Sequence, residues 1–370
     1  MDITENMTLG DKLLITQMRI QQWYEHYKGN VFIAFSGGKD STVLLHIVRK
    51  IYPEVKAVFS NTGLEYPEIV KFAESFPGVE TIRPKKSFVK VLKEDGFPLS
   101  SKKTAGQLSF FSKPSLNNFR TRRLGLTGYT TDTKSFHKSA KISKKWMRFI
   151  GSDTPLTAAC CDHLKKNPMK HWAAERKSGG LPKLYPYIGM MLGEGSTRDI
   201  KMKKRKCNVF DSKNPTSNPL KFWTTEDVWE YIKLNDIEIC SVYKELNVDR
   251  TGCTFCAYGA EREKPDNNRF TKLRKSHPKQ FNAFVHKFKM NKPLDYAGIN
   301  YGEAPTHKPP EFMTYKCCKC ERELPIYEAA WATEREWTQR EELERPPLAG
   351  MDVYCNTCTS LAFPHLTPLT

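Results

Sequence analysis

Six consecutive residues, Ser36-Gly37-Gly38-Lys39-Asp40-Ser41, have the composition of a loop that holds phosphate groups. The two glycines allow the backbone to approach an anion closely, while the lysine and the two serines supply a positive charge and hydroxyl donors. A helix that begins near Ser41 would direct its free N–H groups and the positive end of its dipole at the same loop. The spacing excludes a Walker A loop, which needs G-x-x-x-x-G-K-[ST]. The alternative is a Gly-Gly turn capped by serines, but the position between a buried strand and a helix favours phosphate binding.

The chain has eleven cysteines, and eight of them form two groups with the spacing of metal ligands. The first residues, MDITENMTLG, lack the basic and then apolar pattern of a secretory signal, so we expect a reducing compartment in which cysteines bind metals or react. In the first group, 91 residues separate the pair Cys160-Cys161 from Cys253-x-x-Cys256. These four thiols could hold an iron–sulfur cluster or zinc, or be buried free thiols. Adjacent cysteines cannot both point inward from a regular strand, so we expect the pair at a helix end or a kink.

The second group is Cys317-x-x-Cys320, followed after 34 residues by Cys355-x-x-Cys358. Two such pairs favour a tetrahedral zinc site, although the gap exceeds the usual spacing of about 15–20 residues. The zinc would be structural, because four thiolates leave no open coordination position. We expect the intervening Glu328–Glu344 to form a charged helix, and Cys318 is an alternative ligand to Cys317.

Lysine and arginine outnumber aspartate and glutamate by 59 to 41, which gives a formal net charge of +18. Much of the excess lies in residues 100–150, where twelve basic residues accompany one acid, Asp132. Two basic clusters stand out, and if helical the first would lie on one face: Lys134, Lys138, Lys141, Lys145 and Arg148, and then Lys203, Lys204 and Arg205. Either these clusters are solvated faces or they bind a polyanion, for which RNA or DNA is the expected partner. The second cluster also predicts a favoured thiolate at the nearby Cys207. This cysteine is either a candidate sulfur acceptor or a packed, idle thiol.

The N-terminal part of the chain alternates between predicted strands and helices. Short apolar runs bounded by turn residues predict buried strands, and apolar residues at helical spacing predict helices between them. The predicted order is helix Met7–Lys28, strand Val31–Phe35, helix Thr42–Ile51, strand Val55–Phe59, helix Pro67–Phe76 and strand Val79–Ile82. This alternation predicts an α/β fold, a parallel sheet with helices on both faces, with the phosphate loop after its first strand. No apolar run reaches the ~18 residues of a membrane helix, and we expect a cytoplasmic protein without membrane contact.

The phosphate loop resembles the PP-loop of ATP pyrophosphatases, and most of the first 300 residues resemble the phosphoadenosine-phosphosulfate reductase family of adenine-nucleotide α-hydrolases. The segments that carry this resemblance are Ser60–Glu65, the element Gly189-x-Met191-x-x-Glu194-x-x-x-Arg198, Asn218–Thr224 and the first cysteine group. The resemblance implies nucleotide contacts at Asn61, Thr62, Gly63 and Glu194, with Arg198 near the phosphates. It also implies a [4Fe–4S] cluster on Cys160, Cys161, Cys253 and Cys256.

Two departures from this family bear on the activity. The chain lacks the Glu-Cys-Gly-x-x-His tail whose cysteine attacks sulfur in the reductases, and its tail reads Pro364-His365-Leu366-Thr367. Its complete Ser-Gly-Gly-Lys-Asp-Ser loop is more similar to relatives that use ATP. Both departures weigh against a plain reductase.

We therefore expect an adenine-nucleotide α-hydrolase-like domain at residues 1–303 with a basic insertion at 100–150, a linker at 304–316 and a zinc-ribbon-like module at 317–370. The resemblance implies an enzyme that binds ATP, with Mg²⁺, and uses Lys39, Asp40 and Arg198 in catalysis. It would adenylylate an oxygen of tRNA or DNA and replace it with sulfur from a donor such as a cysteine desulfurase. The alternatives are a reductase that releases sulfite from adenylyl sulfate or its 3′-phosphorylated form, and a nucleic-acid-binding protein without turnover.

Overall fold

The computed structural model describes residues 7–130, 135–192, 206–248, 251–335 and 338–362, in two compact units. The first unit comprises Met1–Lys85 and His163–Thr254, and the second comprises Lys86–Asp162 and Phe255–Thr370. This division differs from the predicted domains 1–303 and 317–370, which stay a prediction. None of the helices in the described ranges is both long and apolar enough to span a membrane.

The first unit contains a six-stranded sheet with the strand order β3-β2-β1-β5-β7-β6, in chain numbering. The strands are β1 Val31–Phe35, β2 Ala57–Ser60, β3 Val79–Ile82, β5 Tyr185–Ile188, β6 Asn208–Val209 and β7 Thr216–Ser217. β1 is parallel to both of its neighbours, since Ile33 pairs with Ala57 of β2 and with Tyr187 of β5. β6 is antiparallel to β7, so the sheet is mostly parallel, as predicted.

Helices cover both faces of this sheet. They are α1 Leu9–His26, α2 Lys39–Ile51, α3 Pro67–Ser75, α8 Asn167–Ser178, and the helices Thr225–Leu234 and Val242–Glu245. Successive residues of a strand point to opposite faces, and β1 follows this rule: Ile33 belongs to a buried cluster with residues of α1 and α2. Phe32 instead packs on Trp172 of α8, with ring centroids 5.0 Å apart. This arrangement confirms the predicted α/β architecture.

The second unit combines short helices with three two-stranded sheets among its described residues. Its helices are α4 Phe88–Glu94, α5 Lys102–Ser112, α6 Phe119–Thr127, α7 Lys144–Met147, and then Arg269–Ser276, Pro278–Asn282, Asn291–Ala297, Gln339–Glu344 and Asn356–Ala362. Its strands are β4 Leu99–Ser100 with β8 Ala257–Tyr258, β9 Thr314–Lys316 with β10 Glu323–Pro325, and β11 Ala329–Glu334 with β12 Met351–Cys355. The β4–β8 pair is parallel and the other two pairs are antiparallel.

The basic insertion and the C-terminal strands share a core within the second unit. Arg122 of α6 is fully buried and donates hydrogen bonds to the carbonyls of Pro347 (3.1 Å) and Ala349 (2.8 Å). The guanidinium of Arg123 lies 3.8 Å from the ring centre of Trp331 in β11. Two of the positive charges in residues 100–150 therefore hold the fold together and are not offered to solvent.

Residues 304–316, predicted as a linker, are tied at their start to the helix Asn291–Ala297. The buried carboxylate of Asp295 accepts hydrogen bonds at 3.0 Å from the backbone N–H groups of both Thr306 and His307. It also accepts one from the hydroxyl of Tyr301 at 2.9 Å. Because a buried carboxylate needs several donors to offset its desolvation, this arrangement fixes the backbone at the beginning of the segment.

One prediction of helix is wrong, and the condition under which the first basic cluster would share one helical face is not met. Glu328–Glu344 is not one charged helix, since Ala329–Glu334 is strand β11 and only Gln339–Glu344 is helical. The buried Trp331 packs on α6, and this tertiary contact outweighs helix propensity. The lysines from Lys138 onward do not share a helix either: a 3₁₀ turn and the short α7 are separated by Ile142, whose N–H donates to the carbonyl of Gly125 at 2.7 Å.

Candidate functional site

The phosphate loop, Ser36–Ser41, lies at the carboxyl end of the central strand β1. The chain leaves β1 for β2 on one side, and β5 lies on the other side. In parallel sheets this switch in strand order opens a crevice at the carboxyl edge, where ligands bind. The loops that follow β2 and β5 end at the same edge, so the segments beginning at Asn61 and Gly189 share it with the phosphate loop. An added Cβ on Gly189 would lie 3.2 Å from the carbonyl oxygen of Asp40, which places the end of β5 against the start of α2.

Serine hydroxyls close the phosphate loop on itself. The hydroxyl of Ser41 donates to the carbonyl of Gly38 at 2.8 Å, and the hydroxyls of Ser36 and Ser41 are 3.0 Å apart. The N–H of Gly38 points at the Ser36 hydroxyl, 3.3 Å away. The loop is therefore held in place by its own side chains before any ligand binds, which lowers the entropic cost of binding.

Lys39 is the first residue of α2 and only 3% exposed, unlike an ordinary surface lysine. Its Nζ lies 2.7 Å from a carboxylate oxygen of Asp40, which partly neutralises the buried charge. The predicted pair thus comes together, with Asp40 placed to orient Lys39.

Two hydroxyl groups that the sequence did not single out also border this loop. The backbone N–H of Lys39 donates to the hydroxyl of Tyr243 at 2.9 Å, and that hydroxyl lies 3.1 Å from the hydroxyl of Thr251. Burial raises the pKa of Tyr243 to about 12, so the hydroxyl stays protonated and can donate. Both residues lie more than 200 positions from the loop, and no local pattern marks them.

The glycines of the loop and of the neighbouring segment allow a direct test of close backbone approach. Gly37 (φ +70°) and Gly63 (φ +77°) are both left-handed, but only at Gly37 would a Cβ meet another residue, 3.2 Å from the carbonyl oxygen of Ile69. We expect Gly63→Ala to lower the free energy of unfolding by about 1 kcal/mol, through backbone strain alone. We expect Gly37→Ala to lower it by about 2 kcal/mol, because the added Cβ would also press against Ile69. Urea unfolding of both variants measures the difference, and equal losses would contradict close packing against Ile69.

The segment after β2 is organised around a buried carboxylate. Glu65 accepts hydrogen bonds from the N–H of Thr62 at 3.0 Å and from its hydroxyl at 2.8 Å. The side chain of Asn61 accepts from the N–H of Gly63 at 2.9 Å. Cys253 lies against the same group, with its Sγ 3.6 Å from the Thr62 hydroxyl. Three predicted nucleotide-contacting residues therefore form one turn, and Glu65 holds that turn in shape.

Three of the four cysteines of the first group lie in the second unit. Cys160 and Cys161 begin a helical segment that continues as a π-helical turn, which confirms the predicted helix end. A hydrogen bond with Cys161 and burial raise the pKa of Cys160, and the charge of Cys256 acts in the same direction. Cys160 is buried and Cys161 is half-buried, so these two adjacent thiols resist forming thiolates together. Cys253 belongs to the first unit, beside Thr62.

The four cysteines of the second group converge. The sulfur atoms of Cys317, Cys320, Cys355 and Cys358 all lie within 4.8 Å of one another. The separation of the Cys320 and Cys355 sulfurs is 3.9 Å, close to the ~3.8 Å that tetrahedral Zn–S bonds of about 2.3 Å require. Hydrogen bonds from Arg322 lower the pKa of Cys320 to about 6, and the largest contribution comes from the Arg322 side chain. Cys317 belongs to this converging group, and the exposed Cys318 does not.

The predicted nucleic-acid-binding residues that the structure describes differ in their exposure. Lys138 and Lys145 are exposed, Lys141 is half-buried, and Arg148 stacks on Phe312 with its guanidinium 5.0 Å from the ring centre. Glu194, Arg198, Lys134, Lys203, Lys204 and Arg205 lie outside the described residues.

The prediction that Cys207 has a favoured thiolate is wrong. Cys207 is buried, and burial raises the pKa of its thiol more than the charges of Lys221 and Arg19 lower it. A buried, protonated thiol is a poor nucleophile, so the structure gives no support to Cys207 as a sulfur acceptor.

Comparison with known proteins gives distant relatives. An uncharacterised protein of Methanocaldococcus jannaschii is 23% identical over 276 residues, which are 72% of this chain and 50% of that protein. An adenosine 5′-phosphosulfate reductase of Bacillus cereus is 36% identical over 70 residues, 18% of this chain and 30% of that enzyme. The chain thus spans half or less of the length of these relatives.

Two solved structures resemble the chain at low similarity. The phosphoadenylyl-sulfate reductase of Candida auris, in a phosphate complex, is 15% identical, with 64% of this chain and 87% of that chain covered and a TM-score of 0.37. The U34-tRNA thiolase NcsA of Methanococcus maripaludis, with its [4Fe–4S] cluster, is 14% identical, with 85% and 87% covered and a TM-score of 0.30.

A family model matches the part of the chain that contains the candidate site. Residues 30–90 and 129–258 match the sequence model of the phosphoadenosine phosphosulfate reductase domain. These ranges make up more than half of the chain and include the phosphate loop, the turn after β2 and the cysteines from Cys160 to Cys256. The chain therefore belongs to the phosphoadenosine phosphosulfate reductase domain family.

Proposed function

We propose that this protein binds ATP at the loop Ser36–Ser41, adenylylates an oxygen of a nucleic acid and replaces that oxygen with sulfur. The observation that carries the proposal is the closed phosphate loop at the central strand, with the buried Lys39 at the start of α2. A loop fixed by its own hydroxyls and backed by a helix N-terminus suits a triphosphate. The net charge of +18 supports a nucleic-acid acceptor.

In the first step, an oxygen of the acceptor attacks the α-phosphorus of ATP, and the bond between the α-phosphorus and the bridging oxygen breaks. Pyrophosphate leaves with that electron pair, and its charge is stabilised by Lys39 and by the N–H groups at the start of α2. A bound Mg²⁺ would add further positive charge there. Asp40 orients Lys39 through their 2.7 Å ion pair. We assign Arg198 to the same phosphates and Glu194, with Asn61, Thr62 and Gly63, to the nucleotide.

In the second step, sulfur at the oxidation level of hydrosulfide attacks the acceptor atom that bears the adenylylated oxygen. The bond between that atom and the oxygen breaks, and AMP leaves with the oxygen. A donor such as a cysteine desulfurase would supply the sulfur as a persulfide, and a thiol would reduce it. We assign Cys160, Cys161, Cys253 and Cys256 as ligands of a [4Fe–4S] cluster, because such a cluster needs four thiolates and these four cysteines lie in the range that matches the family model. When bound, such a cluster supplies iron that can hold sulfide.

We assign structural zinc to Cys317, Cys320, Cys355 and Cys358. The sulfur separations fit a tetrahedral ion, and Arg322 donates hydrogen bonds to the sulfurs of Cys320 (3.5 Å) and Cys355 (3.8 Å). Hydrogen bonds to thiolate ligands offset the negative charge of a four-cysteine site. This site lies in the second unit with the basic insertion, and its role is to hold that unit together.

The second candidate is a reductase that releases sulfite from adenylyl sulfate or its 3′-phosphorylated form. The similarity to the Bacillus cereus adenosine 5′-phosphosulfate reductase over 70 residues favours it. The complete loop Ser36–Ser41, which is more similar to relatives that use ATP, favours the first candidate instead.

One assay separates the two candidates. The protein is purified without oxygen, its iron is quantified, and it receives ATP, adenylyl sulfate or 3′-phosphoadenylyl sulfate, with and without tRNA or DNA. We expect pyrophosphate and AMP from ATP, increased at least tenfold by one type of nucleic acid. Sulfite formed from a sulfonucleotide with a thiol reductant would establish the reductase instead, and no turnover with any substrate would contradict both.

A further inference from the structure

A series of direct contacts in the second unit links Cys160, through Tyr258 and helix α5, to three lysines. The series begins at the short parallel pair β4–β8, in which Ser100 pairs with Tyr258. Helix α5 begins at Lys102, two residues after Ser100. The pairing therefore brings the first turn of α5 alongside Tyr258, which follows Cys256 by two positions.

Tyr258 contacts both the cysteine pair and the first of these lysines. Its hydroxyl lies 3.5 Å from the Sγ of Cys160 and donates to the carbonyl of Thr157 at 2.7 Å. Its ring centre lies 5.8 Å from the Nζ of Lys102. The side chain of Tyr258 thus lies between Cys160, a proposed cluster ligand, and the exposed ammonium group of Lys102.

The positive charges continue away from Tyr258. The Nζ of Lys103 donates to the carbonyl of Ser139 at 2.6 Å, and Gln107, one turn further along α5, donates to the carbonyl of Ala140 at 2.7 Å. These bonds fix the turn that carries Lys138 against α5. Lys102, Lys103 and Lys138 are all exposed, and we call these three residues the lysine track.

The charges of the lysine track are not compensated within the described part of the chain. None of the three lysines forms an ion pair with a carboxylate there. The first turn of α5 contains two lysines and no acidic residue, although acidic residues are the stabilising choice at the positive end of a helix dipole. This arrangement is unfavourable in isolation and becomes favourable when an anion lies over it.

We propose that the lysine track binds consecutive phosphates of the nucleic-acid acceptor and leads its backbone toward Cys160. This inference rests on the proposed function and deepens it, because it names the surface that receives the acceptor. A chain of phosphodiesters matches three charges on two neighbouring elements better than a single nucleotide does, since the track extends from the first turn of α5 to the separate turn at Lys138. The lysines supply position and affinity, and they carry no base specificity.

The test uses a triple variant, Lys102→Ala, Lys103→Ala and Lys138→Ala, and a matched control. The control is Lys275→Ala, Lys279→Ala and Lys287→Ala, which removes the same charge from three other exposed lysines of the second unit. Binding of a fluorescent 30-nucleotide RNA, and of DNA of the same sequence, is measured by anisotropy across a salt series without ATP. We expect the track variant to bind at least tenfold more weakly and its salt slope to fall by about two to three. The control should change affinity less than twofold.

Acetylation of the wild-type protein gives a second measurement that does not depend on the folding of a variant. Bound nucleic acid should protect Lys102, Lys103 and Lys138, and leave the three control lysines reactive. Equal losses of affinity in the two variants, or equal protection of both lysine sets, would overturn the track. Absence of binding by the wild type would also overturn it. Because no ATP is present, either failure is distinguishable from failure of the adenylylation chemistry, which the pyrophosphate assay reports.

Discussion

Lys39→Ala should lower the rate of pyrophosphate release from ATP by roughly 10²–10³-fold, the loss typical when one preorganised charge or donor is removed from a developing anion. Lys39 is 3% exposed, and its Nζ is held 2.7 Å from Asp40 at the start of α2. A charge in such a site acts in a lower effective dielectric than a surface lysine and needs no reorganisation when the phosphates arrive. We therefore expect the loss chiefly in kcat, with a smaller change in KM for ATP.

Lys50→Ala is the matched control for this experiment. Lys50 lies on the same helix, but it is exposed, and its Nζ donates a hydrogen bond to the side chain of Asn235 at 3.2 Å, away from the phosphate loop. The control should retain activity within twofold of the wild type, and thermal unfolding of both variants checks that α2 remains folded. Unchanged pyrophosphate release by Lys39→Ala would rule out the phosphate-loop mechanism.

The sequence predicts this part of the molecule well because its information is local. The strands Val31–Phe35 and Val79–Ile82 have the predicted bounds, and the helices around them differ by a few residues at their ends. Helix α2 begins at Lys39 and not at Thr42, because Gly38 already caps it in an extended conformation. Strand, loop and helix are consecutive here, so periodicity and turn chemistry suffice to place them.

The sequence predicts contacts between distant segments poorly. Tyr243 and Thr251 border the phosphate loop, and Tyr258 borders Cys160, yet each is an ordinary hydroxyl residue without a surrounding motif. The same limitation explains the error at Cys207, where neighbouring lysines suggested a reactive thiol. Burial is a property of the folded chain, and it outweighs charges that are near only in sequence.

The C-terminal cysteines illustrate both cases. Their spacing predicts the metal-binding group, and the four sulfurs do converge. The segment between the two pairs is different: its charged residues predict a helix, but the structure has strand β11 there, because Trp331 is buried in the core. Strand β12 ends at Cys355, and β11 packs on α6. A metal held by these cysteines would therefore stabilise the strands against which the basic insertion folds.

Cys355→Ser should remove zinc from the protein and lower its melting temperature by roughly 6–12 °C. Cys355 is buried and its sulfur lies 3.9 Å from that of Cys320. Loss of one of four ligands opens a structural site and frees the end of β12, and a loss of roughly 3 kcal/mol corresponds to this shift for a unit of this size. Zinc and iron are quantified in the same sample, and iron should be retained because Cys160, Cys161, Cys253 and Cys256 are unchanged.

Cys318→Ser is the control that the chain itself provides. It makes the same chemical change one residue from Cys317, but Cys318 is exposed and lies outside the converging group. We expect it to retain about one zinc per chain and a melting temperature close to that of the wild type. Loss of zinc in both variants would mean that Cys318 takes part in binding, and retention of zinc in Cys355→Ser would contradict a four-cysteine site.

Increased proteolysis within residues 119–127 of Cys355→Ser alone would show that the metal supports α6, because Arg122 there is held by the carbonyls of Pro347 and Ala349 just before β12.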